Sequence, residues 1–317
     1  MTIDVVVRDR HVRTVSRRLV HRRAVADVLL TSMERESDSA FLLSAQLPRA
    51  HSYFGDHTGP AADRYDPLAV VEAAKQAAMA IAQEYFGVPY KVSFVVRTLT
   101  GEVKQARAWT IGDKPANLLM AMRIPRVHQR DGVVVGLELA MRIECDGELL
   151  MSMTGSCVWM DPAPWQALRD AARNRLGLGP FENAAAPGER APAALVGRYS
   201  PRNVLIGPPA VAGGTTRAAL VVDTRHPTHF DYQLDHAPGT LLIEACRQTA
   251  RAGLDRPDPS LRSLATAFKR FVETDLPAEC VAHVTESAPD RTTVRCEVLQ
   301  SGRKTARVDL GFTHPPE

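Results

Sequence analysis

The stretch HPTHFDYQLDHAPGTLLIEACRQ, residues 226–248, decides how this chain is read, because it sets side chains of catalytic type against the head of an apolar helix. Pro238-Gly239 closes an irregular polar approach, after which Leu241, Leu242, Ala245 and Thr249 recur at helical spacing. Residues three and four apart are neighbours on a helix surface, so Glu244, Arg247 and Gln248 share one face. A carboxylate, a cation and an amide side by side suit a site. Taken alone, they are as well explained by a solvated ion pair on an ordinary amphipathic helix.

A repeat within the chain separates these readings. Asp27-Val28-Leu29-Leu30 corresponds to Asn203-Val204-Leu205-Ile206, and Arg49 and Phe54 to Arg225 and Phe230, all at an offset of 176. With four residues fewer between loop and helix in the second half, Glu72-Ala73-Ala74-Lys75-Gln76 falls on Glu244-Ala245-Cys246-Arg247-Gln248. Each half then reads as a strand or two, a loop, one long helix and several antiparallel strands, an α+β layer with a single helix against a curved sheet. Two fused units of this kind form a pseudo-dimer. Duplication for packing alone fits poorly, since a glutamate, a cation and a glutamine at matched helical positions are costly as core filler.

At 317 residues and 45% hydrophobic, the chain is long enough for two domains with sizeable cores. Lys plus Arg number 39 against 36 Asp plus Glu, and a net charge of +3 gives no argument for a nucleic-acid partner. The five cysteines (Cys145, Cys157, Cys246, Cys280, Cys296) are odd in number and lack any C-x-x-C pairing, which speaks against a disulfide framework or a zinc site and fits a reducing cytoplasm. No apolar run approaches a membrane span, and no apolar leader core opens the chain.

Seven arginines (Arg8, Arg10, Arg13, Arg17, Arg18, Arg22, Arg23) crowd residues 8–23. The run reads first as a solvated face and second as an attractor for an acidic partner such as a carrier protein; Asp4 and Asp9 weaken a transit-peptide reading. Apolar segments at Val25 to Leu30 and Phe41 to Leu47 precede a polar loop. A helix is then predicted from Asp66 as N-cap and Pro67 at the first position, through an apolar stripe of Leu68, Val71, Ala74, Ala78, Ile81 and Tyr85, to Gly87 and Pro89. Strands are predicted at Val92–Thr98, Ala106–Ile111, Leu118–Ile124, Val133–Glu144 and Leu149–Met160, with turns at Asp131-Gly132 and Asp146-Gly147. A short helix within Asp161–Leu176 and a Gly/Pro/Ala-rich linker over residues 177–194 complete the division into units 1–176 and 195–317.

Specific motifs now stand out. His229-Phe230, Pro238-Gly239, Leu242-Ile243-Glu244-Ala245 and Gln248 are similar to the H-F…P-G-x-L-x-x-E-A-x-x-Q motif of hotdog-fold β-hydroxyacyl-carrier-protein dehydratases, with one extra residue between His and Pro. More of the chain resembles the A-factor biosynthesis hotdog family of γ-butyrolactone signal synthases. The resemblance is carried by Val20-His21-Arg22-Arg23 with Val28-Leu29-Leu30-Thr31, by Leu47-Pro48-Arg49-Ala50-His51, by His226-Pro227 with Phe230-Asp231, and by Asp235-His236-Ala237-Pro238-Gly239. Lys75 departs from the family's Arg in E-x-x-R-Q. The resemblance implies a double hotdog, and an acyltransferase moving a β-ketoacyl group from an acyl carrier protein or CoA thioester to dihydroxyacetone phosphate. The ester closes to a butenolide phosphate, precursor of a γ-butyrolactone-type signal. A double-hotdog dehydratase or thioesterase, and a non-catalytic acyl-ligand or lactone-binding regulator, are the alternatives.

Acyl transfer needs a base, donors for the oxyanion, a cation for phosphate and a channel for the chain. Glu244 is the candidate base, with a pKa raised by partial burial, and His229 its rival or an orienting donor. The amides from Gly239 onward are the candidate oxyanion hole, and Gln248 is suited to hold either the thioester or Glu244. Arg247, Lys269 and Arg270 are candidates for phosphate. Glu72, Lys75 and Gln76, with His51, Asp56 and His57 nearby in sequence, form the matching first-half set, and the second half is expected to carry the chemistry. Cys246 sits at an apolar helical position and reads as core. No phosphate-loop, dinucleotide or metal-ligand spacing is present, so no cofactor beyond the acyl carrier is expected.

Overall fold

The computed structural model describes residues 10–104, 106–254 and 259–314, and the chain divides into two compact units. The first comprises Met1–Gly55, Asp63–Val95 and Gly101–Pro162; the second comprises Asp56–Ala62, Val96–Thr100 and Ala163–Glu317. In each, one long helix packs on an antiparallel sheet, the α+β arrangement expected of each half.

The first unit contains β1 (Leu30–Arg35), β2 (Ala40–Leu47), helix α1 (Pro67–Tyr85), the two ends of β3 (Ser93–Val103), β4 (Ala116–Arg130), β5 (Val133–Cys145) and β6 (Glu148–Met160). Its strands run in the order β1-β2-β4-β5-β6, with β3 beside β6. Strand geometry sends alternate side chains to opposite faces, and in β4 Leu118, Met120, Met122 and Ile124 are buried while Asn117, Leu119, Ala121 and Arg123 face outward. Asp131-Gly132 and Asp146-Gly147 have positive φ at both residues (52° and 77°; 49° and 79°), as two-residue hairpin turns whose twist matches the strands require.

Helix α1 begins as expected, with the Asp66 carboxylate accepting from the Leu68 amide at 2.9 Å and Pro67 at the first position. It ends where Gly87 turns left-handed (φ 65°) and the Val88 amide returns to the Ala82 carbonyl. Burial extends beyond one apolar stripe: 14 of its 19 residues are buried, including Glu72, Gln76 and Gln83. Polar groups so placed need partners inside the protein.

One expected segment differs. Ala106–Ile111 forms a 3-10 turn at Arg107–Trp109 instead of a strand, because Trp109 buries its ring and its Nε1 donates to the Lys104 carbonyl at 2.9 Å. In the apolar segment from Val25 to Leu30, Val25–Asp27 is a 3-10 turn and β1 starts at Leu30. Of the arginine-rich run, Arg13, Arg17, Arg18 and Arg23 are exposed, Arg10 pairs with Glu34, and Arg22 is buried. The solvated-face reading therefore fails at Arg22. Arg8, Asp4 and Asp9 lie outside the described residues.

The second unit holds helix α2 (Pro162–Asn174), β7 (Ala210–Ala212), β8 (Thr215–Ala219), helix α3 (Gly239–Gly253), β9 (Ser260–Phe268), β10 (Ala278–Ser287), β11 (Arg291–Gln300) and β12 (Arg303–Thr313). Its strands run β9-β12-β11-β10-β8-β7, and α3 packs on β8, β10, β11 and β12. Cys246 of α3, Cys280 and Cys296 are fully buried. Gly213-Gly214 makes the turn between β7 and β8. Strand β9 stops at Phe268, so Lys269 and Arg270 fall just past it, exposed.

Candidate active site

Glu244 is the centre of the second unit's polar cluster, and it is 1% exposed. Its Oε1 accepts from Arg198 at 2.7 Å and from Gln248 Nε2 at 2.8 Å, and its Oε2 from Arg247 Nε at 2.6 Å. Gln248 also clasps the incoming backbone: Nε2 donates to the Asn203 carbonyl at 2.8 Å, and Oε1 accepts from the Leu205 amide at 2.8 Å. Of its two suggested roles, holding Glu244 is the one the geometry provides. Arg198 donates onward to the Asp56 carbonyl, and the Asp56 carboxylate accepts from Asn203 Nδ2 at 2.7 Å.

The Asn203 side-chain oxygen lies 3.1 Å from His226 Nε2, and His226 Nδ1 accepts from the Thr228 and His229 amides. Those amides fix the neutral tautomer with its proton on Nε2. Burial, reinforced by Arg202, pushes the His226 pKa down to about 4. His229 is buried, its ring 4.8 Å from that of His226.

The first unit repeats the cluster residue for residue. Arg22 donates to Glu72 Oε1, Gln76 Nε2 donates to the same oxygen at 3.0 Å, and Lys75 reaches Oε2 at 2.7 Å. Gln76 clasps the Asp27 carbonyl (2.8 Å) and the Leu29 amide (2.9 Å) as Gln248 clasps Asn203 and Leu205. Burial works against the Glu72 anion, but Lys75 and Arg22 hold its pKa down at about 2. His51 plays the part of His226, accepting at Nδ1 from the Tyr53 and Phe54 amides, with Nε2 3.7 Å from Asp27.

The partners missing from the sequence reading are therefore Arg22 and Arg198. Their signal was present: Leu19-Val20-His21-Arg22 and Leu195-Val196-Gly197-Arg198 stand at the same offset of 176, and His21 and Gly197 share a left-handed backbone (φ 48° and 69°). Asp56 and His57 belong to the second unit, where the Asp56 carboxylate accepts from the Ser200 amide and from Asn203 Nδ2. Arg270 donates to the Lys304 carbonyl, and neither it nor Lys269 joins the cluster. Cys246 is core, its thiol pushed well up from its ordinary value.

The two units diverge where their helices begin. Ala237 N–H donates to the Val272 carbonyl and His236 bridges Glu273; in the first unit Tyr65 N–H donates to the Trp109 carbonyl and Arg64 bridges Thr110. After this shared step, α1 starts with a side-chain cap from Asp66 and with Pro67, which has no N–H. Helix α3 starts at Gly239 with no side-chain cap, so its first amides are left for a ligand or solvent. Gly239 also admits Phe268, whose Cζ would lie 3.0 Å from an added Cβ. An open helix start beside a fixed cluster of charge can polarise a carbonyl, and the first unit's capped start cannot do so in the same way. Glu244 itself, with both oxygens engaged by two guanidiniums and an amide, is placed to anchor cations. Among the described residues, no group of His, Cys, Asp or Glu is set to hold a metal, and no helix is long and apolar enough to cross a membrane.

Two helix-on-sheet units with a duplicated buried Glu–Gln–cation cluster define an α+β double-hotdog protein. A putative oleoyl thioesterase from Lactobacillus plantarum and a MaoC-like dehydratase share this architecture, each with a TM-score of 0.53 at 11% identity, covering 88% and 89% of this chain and 98% and 99% of theirs. The A-factor biosynthesis hotdog domain (AfsA) matches residues 4–161 and 182–314, and the chain belongs to that family. Its relatives include 2-oxo-3-(phosphooxy)propyl 3-oxoalkanoate synthases from Streptomyces virginiae (32% identical, 83% of this chain and 85% of the relative) and Streptomyces coelicolor (31%, 90% and 87%).

Proposed function

We propose that this protein is an acyltransferase that joins a 3-oxoacyl group, carried as a thioester on an acyl carrier protein or CoA, to the hydroxyl of dihydroxyacetone phosphate. The observation that carries the reading is the relationship to synthases named for the ester of those two pieces, over more than four fifths of both chains. The ester carries an active methylene between two carbonyls, and intramolecular aldol condensation onto the ketone closes it to a butenolide phosphate. The site supports this chemistry in the second unit. The uncapped amides at Gly239 receive the thioester oxygen as it becomes an oxyanion. Glu244, itself held by Gln248, keeps Arg198 and Arg247 in place, and Arg247, on the outer side of the cluster, faces the phosphate. The Glu72–Lys75–Gln76 copy, behind a capped helix start, serves as scaffold.

The test is thiol release from a 3-oxoacyl thioester, with and without dihydroxyacetone phosphate, alongside mass detection of the ester. Release that depends on the phosphate, with ester appearing in step, is the expected result. Release to water at the same rate without it identifies a thioesterase, and tight binding of a finished lactone with no turnover identifies a ligand-binding regulator.

A further inference from the structure

The reaction needs a group to take the hydroxyl proton, and Glu244 is already engaged by two guanidiniums and an amide. A different pair is built for that task. His236 Nδ1 lies 2.7 Å from Asp235 Oδ1, and the other Asp235 oxygen accepts from Arg169 Nε at 2.8 Å. Arg169, 1% exposed, also forks onto Glu273 at 2.8 and 2.7 Å. Arg173 joins Glu273 to Asp275, so α2 locks the whole assembly against the segment after β9. The His236 ring is flanked by Trp165 and Phe271, with centroids 5.7 and 5.1 Å away. Among the described residues, Nε2 of His236 makes no hydrogen bond.

A histidine whose Nδ1–H is held by a carboxylate has its Nε2 lone pair oriented and available. Burial opposes the Asp235 anion, but His236 and Arg169 hold its pKa well below the usual carboxylate range, so it accepts the Nδ1 proton in a hydrogen bond and does not take it.

The backbone does not require this dyad. The first unit builds the same bridge with Asp63-Arg64 in place of Asp235-His236, and a guanidinium offers donors but no acceptor atom to take a proton. A histidine therefore appears only in the unit whose helix start is open, three residues before the amides of Gly239. We propose that His236, oriented by Asp235, is the general base of acyl transfer, and that Arg169 is its positioning residue. The acceptor O–H gives its proton to His236 Nε2 as its oxygen bonds to the thioester carbon. The C–S bond then breaks, and the imidazolium returns the proton to the departing thiolate, leaving ester and thiol. This assignment rests on the acyltransferase reading and names the proton acceptor it lacked.

The experiment compares wild type, His236→Gln, His236→Ala and Asp235→Asn in the thiol-release and ester assay, with kcat measured across pH and thermal unfolding run in parallel. The charged groups facing His236 are Asp235, Arg169 and Glu273, with Arg173 and Asp275 behind them, and each remains in the His236 variants. Expected are a kcat loss of about 10²–10⁴ in His236→Gln with KM for the thioester little changed, and disappearance of an acidic limb in the wild-type profile. Imidazole added to His236→Ala should restore part of the rate, a readout that a purely structural role would not move. Wild-type kcat in folded His236→Gln, or an acidic limb that persists in it, overturns the base assignment while the acyltransferase reading stands. A wild-type chain that forms no ester overturns both.

Discussion

Arg22 and Arg198 each donate to Oε1 of the helix glutamate in their own unit, Glu72 and Glu244. Both carboxylates are buried, and a buried charge left unpaired costs far more than the net worth of its pair. Arg198→Met should lower unfolding stability by about 3–5 kcal/mol in a denaturant titration, and Arg198→Lys, which keeps the charge and loses the fork, by less. Equal stability of wild type and Arg198→Met would mean that the pair is not formed in solution.

The two glutamines make a second, separable prediction. Gln248→Leu strips the Leu205 amide and the Asn203 carbonyl of their buried partners, and Gln76→Leu does the same to Leu29 and Asp27. Each unsatisfied group costs about 1–3 kcal/mol, so both variants should unfold at lower denaturant. Hydrogen exchange localises the damage: the Leu205 amide should exchange faster only in Gln248→Leu, and the Leu29 amide only in Gln76→Leu.

Acid should act in two stages. His226 is held neutral with a pKa of about 4 against an ordinary 6.5, so the unfolded chain binds the extra proton between those values. Stability is fully present above about pH 6.5 and falls as pH drops towards 4. Glu72, at about 2 against 4.5, has the same sign in a lower window, losing its contribution from about pH 4.5 downwards. His226→Gln should flatten the first stage in a stability-against-pH curve and leave the second; an unchanged slope between pH 6.5 and 4 would refute the assignment.

Gly239 is the contact point between helix start and strand β9. An added methyl at Gly239 meets the Phe268 ring at 3.0 Å, so Gly239→Ala should displace the ring or the first amides of α3. Ester formation should drop by more than tenfold, with a smaller effect on the unfolding midpoint. Gly239→Ala with Phe268→Leu should recover most of the rate, and a double variant no better than the single one would exclude the ring as the cause.

Much of this architecture is legible in the residues. The cap at Asp66-Pro67, the I′-type turns at Asp131-Gly132 and Asp146-Gly147, and the alternation along β4 are local rules, and the structure follows them. So is the match of EAAKQ to EACRQ, which places Glu72 and Glu244 on corresponding turns of α1 and α3. Where local rules misled, burial of a large side chain prevailed: Ala106–Ile111 has strand composition, and Trp109 folds it inward as a turn.

By itself, the sequence determined that this is a duplicated α+β chain with a helix glutamate, cation and glutamine in each copy, because periodicity and repetition are properties of order along the chain. Tertiary structure alone decided which of the described arginines in that run is buried, and that Arg198 is its counterpart. It also decided that Arg169, 66 residues from Asp235 and 104 from Glu273, fixes the His236 loop. Buried charges take whichever opposite charge the packed backbone brings within about 3 Å, and no spacing in a sequence encodes that distance.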